Sequence, residues 1–172
     1  GRPLQSTDCA HLDGITYYSH TEITTDPVDA FMAITAVDEV TGERIYGPLD
    51  IGYDEISTIR LLIFKGVLYA FYSSTSTYNT AGNLYGRVIT STGLGAEVLM
   101  RSDVWQNLPF PGGNFWDILN YADDRLVLAY PTSLTGLAFR HFDEDLVEYV
   151  SPVYTSVVAD VYYIRLGMSS SG

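Results

Sequence analysis

The sequence predicts an all-β chain made of repeated four-stranded antiparallel units. Three observations predict it. The composition suits pleated sheet, strand-sized segments recur every ten to fifteen residues, and these segments fall into register with one another about fifty residues apart.

Composition sets the first limits. A chain of 172 residues is most simply one domain, long enough to bury roughly 70% of its extended surface. Hydrophobic content of 47% with 17% charged residues makes it globular. Fourteen Tyr and many Val, Ile and Thr favour strands, while 15 Gly and 7 Pro supply turns. Net charge is −12, Lys65 is the only lysine, and the eight arginines stand singly. Phosphate binding needs clustered Lys and Arg, so neither nucleic acid nor an anionic membrane surface is expected as a partner. A single cysteine, Cys9, excludes an intrachain disulfide and a cysteine-based metal site. Its expected place is that of a small buried apolar residue. No uncharged apolar run approaches the roughly 20 residues that span a bilayer, so membrane insertion is not expected. The chain opens GRPLQSTD and closes SSSG, which reads as a segment of a longer or processed polypeptide.

The units are justified strand by strand. Opening strands end in turn signals: STDCAHLDG from Ser6, STIRLLIFKG from Ser57 and NFWDILNYADD from Asn114. Second strands follow, as ITYYSH, VLYAFYSS and RLVLAYPT, with Leu68 matching Leu126 and Tyr72 matching Tyr130. Third strands begin at Ala30, Asn83 and Gly136, 53 residues apart in both intervals. That register sets Arg87 opposite Arg140, and Leu84 opposite Leu137 and Phe31. Glu97 and Glu148 each lead the last strand. Residues 29–41 also carry helical spacing, with Ala30, Phe31, Ala33, Ile34 and Val37 behind Pro27. Their register with the third strands of the other units favours a strand, with Asp38 to Gly42 as its turn. A fourth opening strand starts at Val157. The units are therefore about 5–50, 56–102 and 114–154, with a partial unit at 157–166.

A sheet of this size cannot bury both faces alone. Stacking such sheets radially, face against face, solves the problem and leaves short edges, which is the β-propeller architecture. A two-sheet β-sandwich is the alternative, but it requires no internal repeat. Three blades do not close a ring, because propellers have typically four to eight. Other blades of the same polypeptide, or further copies of the chain, are therefore expected partners.

STIRLLIFKGVLYAFYSS followed by NLYGRVITSTG resembles the blades of the sialidase-like (BNR-type) propeller group. The likeness covers residues 5–166 as a strand pattern. The aspartate-box turn of that group, Ser-x-Asp-x-Gly-x-Thr-Trp, is absent. What the resemblance implies is ligand binding at the inner strands and at the loops of one channel mouth.

On the expected inner strands the polar residues are Asp8, His11, Arg60, Asp117, Asn120 and Asp160. Asp8 and Arg60 lie six residues before Gly14 and Gly66, and Asp117 and Asp160 lie seven before Asp124 and Gly167. Recurrent carboxylates there are what a glycosidase needs as acid and base or nucleophile. They equally suit the lining of a watery channel. Arg60 is the one inner-strand arginine so placed, apart from Arg165 late in its strand, and that is too little for sialic-acid hydrolysis. His11, His20 and His141 lack metal spacing, and neither a nucleophile elbow nor a phosphate loop is present. Trp105 and Trp116 lie in WQNLPFPGGNFW, suited to stacking on sugars or to plugging gaps between blades, and Tyr78 and Asn79 lie in STSTYNTAGN, a polar surface loop suited to binding or a tolerated surface insertion. The ligand-binding candidates are thus Asp8, Arg60, Tyr78, Asn79, Trp105, Trp116, Asp117 and Asp160, with no catalytic set, metal or cofactor. The expected role is a non-catalytic structural or binding segment of a larger extracellular or virion protein, of the phage tail-fibre or adhesin kind, recognising surface glycans or proteins. The alternative is a fragment of a carbohydrate-active enzyme whose site is completed by further blades.

Overall fold

The computed structural model describes residues 8–25, 28–51, 56–74, 80–106, 116–121, 124–133, 135–156 and 164–167. Within them every regular element is a strand. The first sheet comprises β1 (Cys9–Leu12), β2 (Ile15–Thr25), β3 (Val28–Asp38) and β4 (Arg44–Asp50). The second comprises β5 (Ile56–Phe64), β6 (Val67–Ser74), β7 (Thr80–Thr90) and β8 (Gly93–Gln106). The third comprises β9 (Asp117–Tyr121), β10 (Arg125–Pro131), β11 (Gly136–Phe142) and β12 (Glu148–Ser156). Each sheet is an antiparallel meander in chain order. The opening strands contact one another, β1 with β5 and β5 with β9. Two separate apolar cores lie between successive sheets. Three sheets stacked in this way form a propeller-like array of blades, not a two-sheet sandwich.

Turn chemistry fixes the first hairpins. Asp13-Gly14 and Lys65-Gly66 adopt positive φ at both positions, 52° and 77°, then 50° and 75°. That is the twist a two-residue hairpin loop requires. Counted from the first paired residue after each hairpin, Thr16 pairs with Val37 as Leu68 pairs with Ile89 and Leu126 with Phe142. Met32, not Phe31, therefore stands opposite Leu84 and Leu137. Two adjacent apolar residues leave the facing side ambiguous in sequence, and only the pairing decides it.

β3 is a strand because it pairs with β2 without interruption from Thr25↔Val28 to Ile15↔Asp38. Its helical spacing is outweighed by pairing along its length. Asp38 then holds the expected turn, its Oδ1 accepting from the Val40 and Thr41 amides at 2.9 and 2.7 Å. Two expected loops are shorter than their composition implied. Trp105 and Gln106 belong to β8, opposite Ala81 and Thr80, so those residues and Gly82 and Asn83 are strand. β8 also begins four residues before Glu97, at Gly93. Cys9 is exposed. The buried place belongs to Ala10, because alternation turns Cys9 away from the second sheet.

The apolar run Val67 to Tyr72 shows why alternation disappears in the middle blade. Leu68, Ala70 and Tyr72 enter the core shared with the first sheet, while Tyr69 and Phe71 enter the core shared with the third. Both faces are buried, so both parities are apolar. Close approach depends on Gly86 in β7. A Cβ there would stand 2.5 Å from Leu146 Cδ1 of the third sheet's last turn, and 3.1 Å from Phe71 and Met100. Gly86→Ala is expected to cost about 1–3 kcal/mol through overpacking, read as a lower urea midpoint with an unchanged slope.

Candidate functional site

The inner strands carry the candidate site. Leu12, Phe64 and Tyr121 are the last paired residues before their hairpin turns. Counting back, Asp8, Arg60 and Asp117 occupy one equivalent position in three blades. Each of these strands is the free edge of its sheet, so its outward amides need partners from elsewhere.

Carboxylates supply them. Asp8 Oδ1 accepts from its neighbour Cys9 N at 3.0 Å, and Oδ2 accepts from Leu61 N of the next blade at 3.0 Å. Asp117 repeats the arrangement. Its Oδ1 accepts from Ile118 N at 3.1 Å, and Oδ2 accepts from Leu166 N at 2.9 Å. Arg60 completes the contact between the second and third blades, donating from Nε to Asp117 Oδ1 at 3.0 Å. Both side chains of this ion pair are only 7% exposed. Asn120 adds a further tie, its Nδ2 donating to Ile63 O at 2.7 Å. Arg60 Nη2 and Asn120 Oδ1 are buried without a hydrogen-bond partner among the described residues.

Leu166 identifies the fourth equivalent position as Arg165, whose Nη1 lies 4.0 Å from Asp117 Oδ2. The inner positions thus run Asp8, Arg60, Asp117, Arg165. Sequence spacing had set Asp160 in that series. The overlooked signal is the tripeptide Ile-Arg-Leu, shared by residues 59–61 and 164–166.

A second polar layer repeats towards the outer strands. Tyr72 donates to Glu97, and Arg87 reaches Tyr72 as well as Gly95 O and, in the first blade's exit, Ile51 O. In the third blade Arg140 donates from Nε to Tyr130 Oη at 3.0 Å and from Nη1 to Glu148 at 2.6 Å. Arg101 of β8 joins Glu148 at 3.1 Å and Asp103 at 2.8 Å. Burial, then the carboxylate Glu97, pushes the Tyr72 phenol far above its ordinary range, so it remains a donor. Burial likewise raises Tyr130.

The predicted residues divide clearly. Asp8, Arg60 and Asp117 are brought together along the axial edge. Trp116 is fully buried and donates from Nε1 to Ser73 Oγ at 3.0 Å, so its ring fills the gap between blades. Trp105 lies in β8. Tyr78, Asn79 and Asp160 lie outside the described residues. Among the described residues no group of three His, Cys, Asp or Glu side chains is placed to hold a metal.

No protein-family model matches the chain, and no curated protein sequence matches it. Among solved structures, the Bombyx mori GH32 beta-fructofuranosidase BmSUC1 is similar to it at 8% identity and a TM-score of 0.49. The match covers 89% of this chain and 37% of that one. The class defined by the stacked sheets is an all-β, propeller-like array of antiparallel blades.

Removing one partner of the buried axial ion pair strands the other charge. Arg60→Met is expected to cost about 3–5 kcal/mol in chemical denaturation. Adding Asp117→Asn should recover part of that, because the amide oxygen still accepts from one of the two backbone amides and no buried carboxylate charge is left behind. A pH effect follows from His141, held below the ordinary histidine range first by burial and then by Arg125. The unfolded chain binds that proton more readily. The stability His141 contributes is therefore present above about pH 6.5 and is lost as pH falls through the depressed folded value. The drop in Tm between neutral and mildly acidic buffer should be smaller in His141→Gln than in the parent.

Proposed function

We propose that this chain is a non-catalytic propeller segment of a larger extracellular or virion protein, of the tail-fibre or adhesin kind. It serves as scaffold and as a recognition module for surface glycans or proteins. Within that reading its blades are of the sialidase-like type without the hydrolytic machinery. One observation carries the scaffold role: the inner-strand carboxylates are committed to joining blades. Asp8 and Asp117 each use both oxygens on backbone amides, and Asp117 also takes Arg60. A glycosidase needs one carboxyl free to give a proton and another free to attack or activate water.

Recognition falls to the aromatic and amide residues named from sequence, Trp105, Tyr78 and Asn79. Aromatic rings stack on the apolar faces of sugars and carry a polar tip for their hydroxyls. Glycan-array binding by the purified chain, paired with a reducing-sugar release assay on the bound glycans, tests the proposal. Expected is binding without turnover, weakened by Trp105→Ala or Tyr78→Ala. Turnover that disappears in Asp117→Asn while the circular dichroism spectrum is retained would overturn it in favour of a glycoside-cleaving enzyme.

A further inference from the structure

The outward face of the third sheet has the build of a face that receives a blade. By hairpin register, Val127 and Ala129 of β10 hold the positions of Tyr69 and Phe71 of β6, and Leu119 and Tyr121 of β9 hold those of Leu62 and Phe64 of β5. In the second sheet these positions pack beneath the third. In the third sheet these four positions are again apolar, with His141 and Arg125 packed beside Tyr121, yet Tyr121 is 51% and Val153 58% exposed.

The inner edge of that face is already engaged. Leu166 N donates to Asp117 Oδ2 at 2.9 Å just as Leu61 N donates to Asp8 Oδ2 at 3.0 Å, and Ile164 is buried. Residues 164–166 repeat the Ile-Arg-Leu of 59–61, which form the corresponding inner strand of the second blade. We infer that the outward face of the third sheet seats a fourth blade, whose inner strand is Ile164–Leu166 and whose remaining strands come from polypeptide following Gly172.

Two arguments select this occupant. The contact is continuous with an interface already formed, and it reuses the same carboxylate-to-amide bond. The first blade of a second copy would have to displace Ile164–Leu166 to reach the face. The inference rests on the reading of the chain as a segment of a larger protein, but not on its glycan binding, so the two fail separately.

The test is hydroxyl-radical footprinting of Tyr121, with Leu99, exposed on the last strand of the middle blade, as internal reference. The 172-residue chain is compared with the product of its own reading frame continued past Gly172, both checked as folded by circular dichroism. Expected is a severalfold fall in Tyr121 oxidation relative to Leu99 in the longer protein. That fall should be reversed when Ile164→Asp and Leu166→Asp are introduced. Equal oxidation in the two proteins would overturn the inference, as would a reading frame that stops at Gly172. Protection of Tyr121 that grows with the concentration of the 172-residue chain would also overturn it, assigning the face to a second copy.

Discussion

The structure depends on how the free edge of each inner strand is satisfied. A four-stranded meander has two edges, and the inner one is turned towards neighbouring blades with limited access to water. An unpaired amide there costs about as much as a lost hydrogen bond. Asp8 and Asp117 remove that cost for two strands at once, one oxygen serving the residue's own blade and the other the next. The carboxylate is the suitable group because it only accepts and has two oxygens to offer. It also ties the angular position of one blade to the backbone of its neighbour, which an apolar contact, being non-directional, does not do.

Away from the axis the interfaces become apolar, and further out they become polar again. The middle zone supplies most of the burial. Here the second sheet is apolar on both faces, with Phe71 and Tyr72 fully buried on opposite sides of one strand. The outer zone is a Tyr, Arg and Glu grouping that recurs in the second and third blades. Buried phenols and guanidinium groups are costly unless fully paired. Their pairing across strands two, three and four locks the register of the outer half of each blade. The first blade has His20, Thr35 and no matching glutamate in these places, and its interface relies on Tyr17, Met32 and Ile34 instead.

Much of this was legible in the sequence, and the failures have physical causes. The hairpin turns, the strand order and the matched pairs Tyr72/Tyr130, Arg87/Arg140 and Glu97/Glu148 are visible as repeats, because turns and buried polar groups constrain residue identity. Their meeting in one grouping is not visible, since it depends on which faces the strands present. Asp8, Arg60 and Asp117 are identifiable by spacing as equivalent. Spacing names Asp160 as the fourth member, whereas the bond from Leu166 N to Asp117 sets Arg165 at that position. The carboxylates also read as candidate acids or bases, whereas in the structure Asp8 and Asp117 accept from two backbone amides each. Cys9 was misjudged because sequence does not tell which parity of a short strand faces inward. Trp116 was ambiguous because a buried and an exposed tryptophan look alike in a Pro- and Gly-rich stretch.

The alternation of Asp and Arg along the inner strands constrains how such a chain can grow. Duplicating the second or third blade would set guanidinium beside guanidinium or acid beside acid at the inner edge, where the Arg60 and Asp117 side chains are buried and like charges would be poorly screened. Duplicating two adjacent blades would keep every junction opposite in sign.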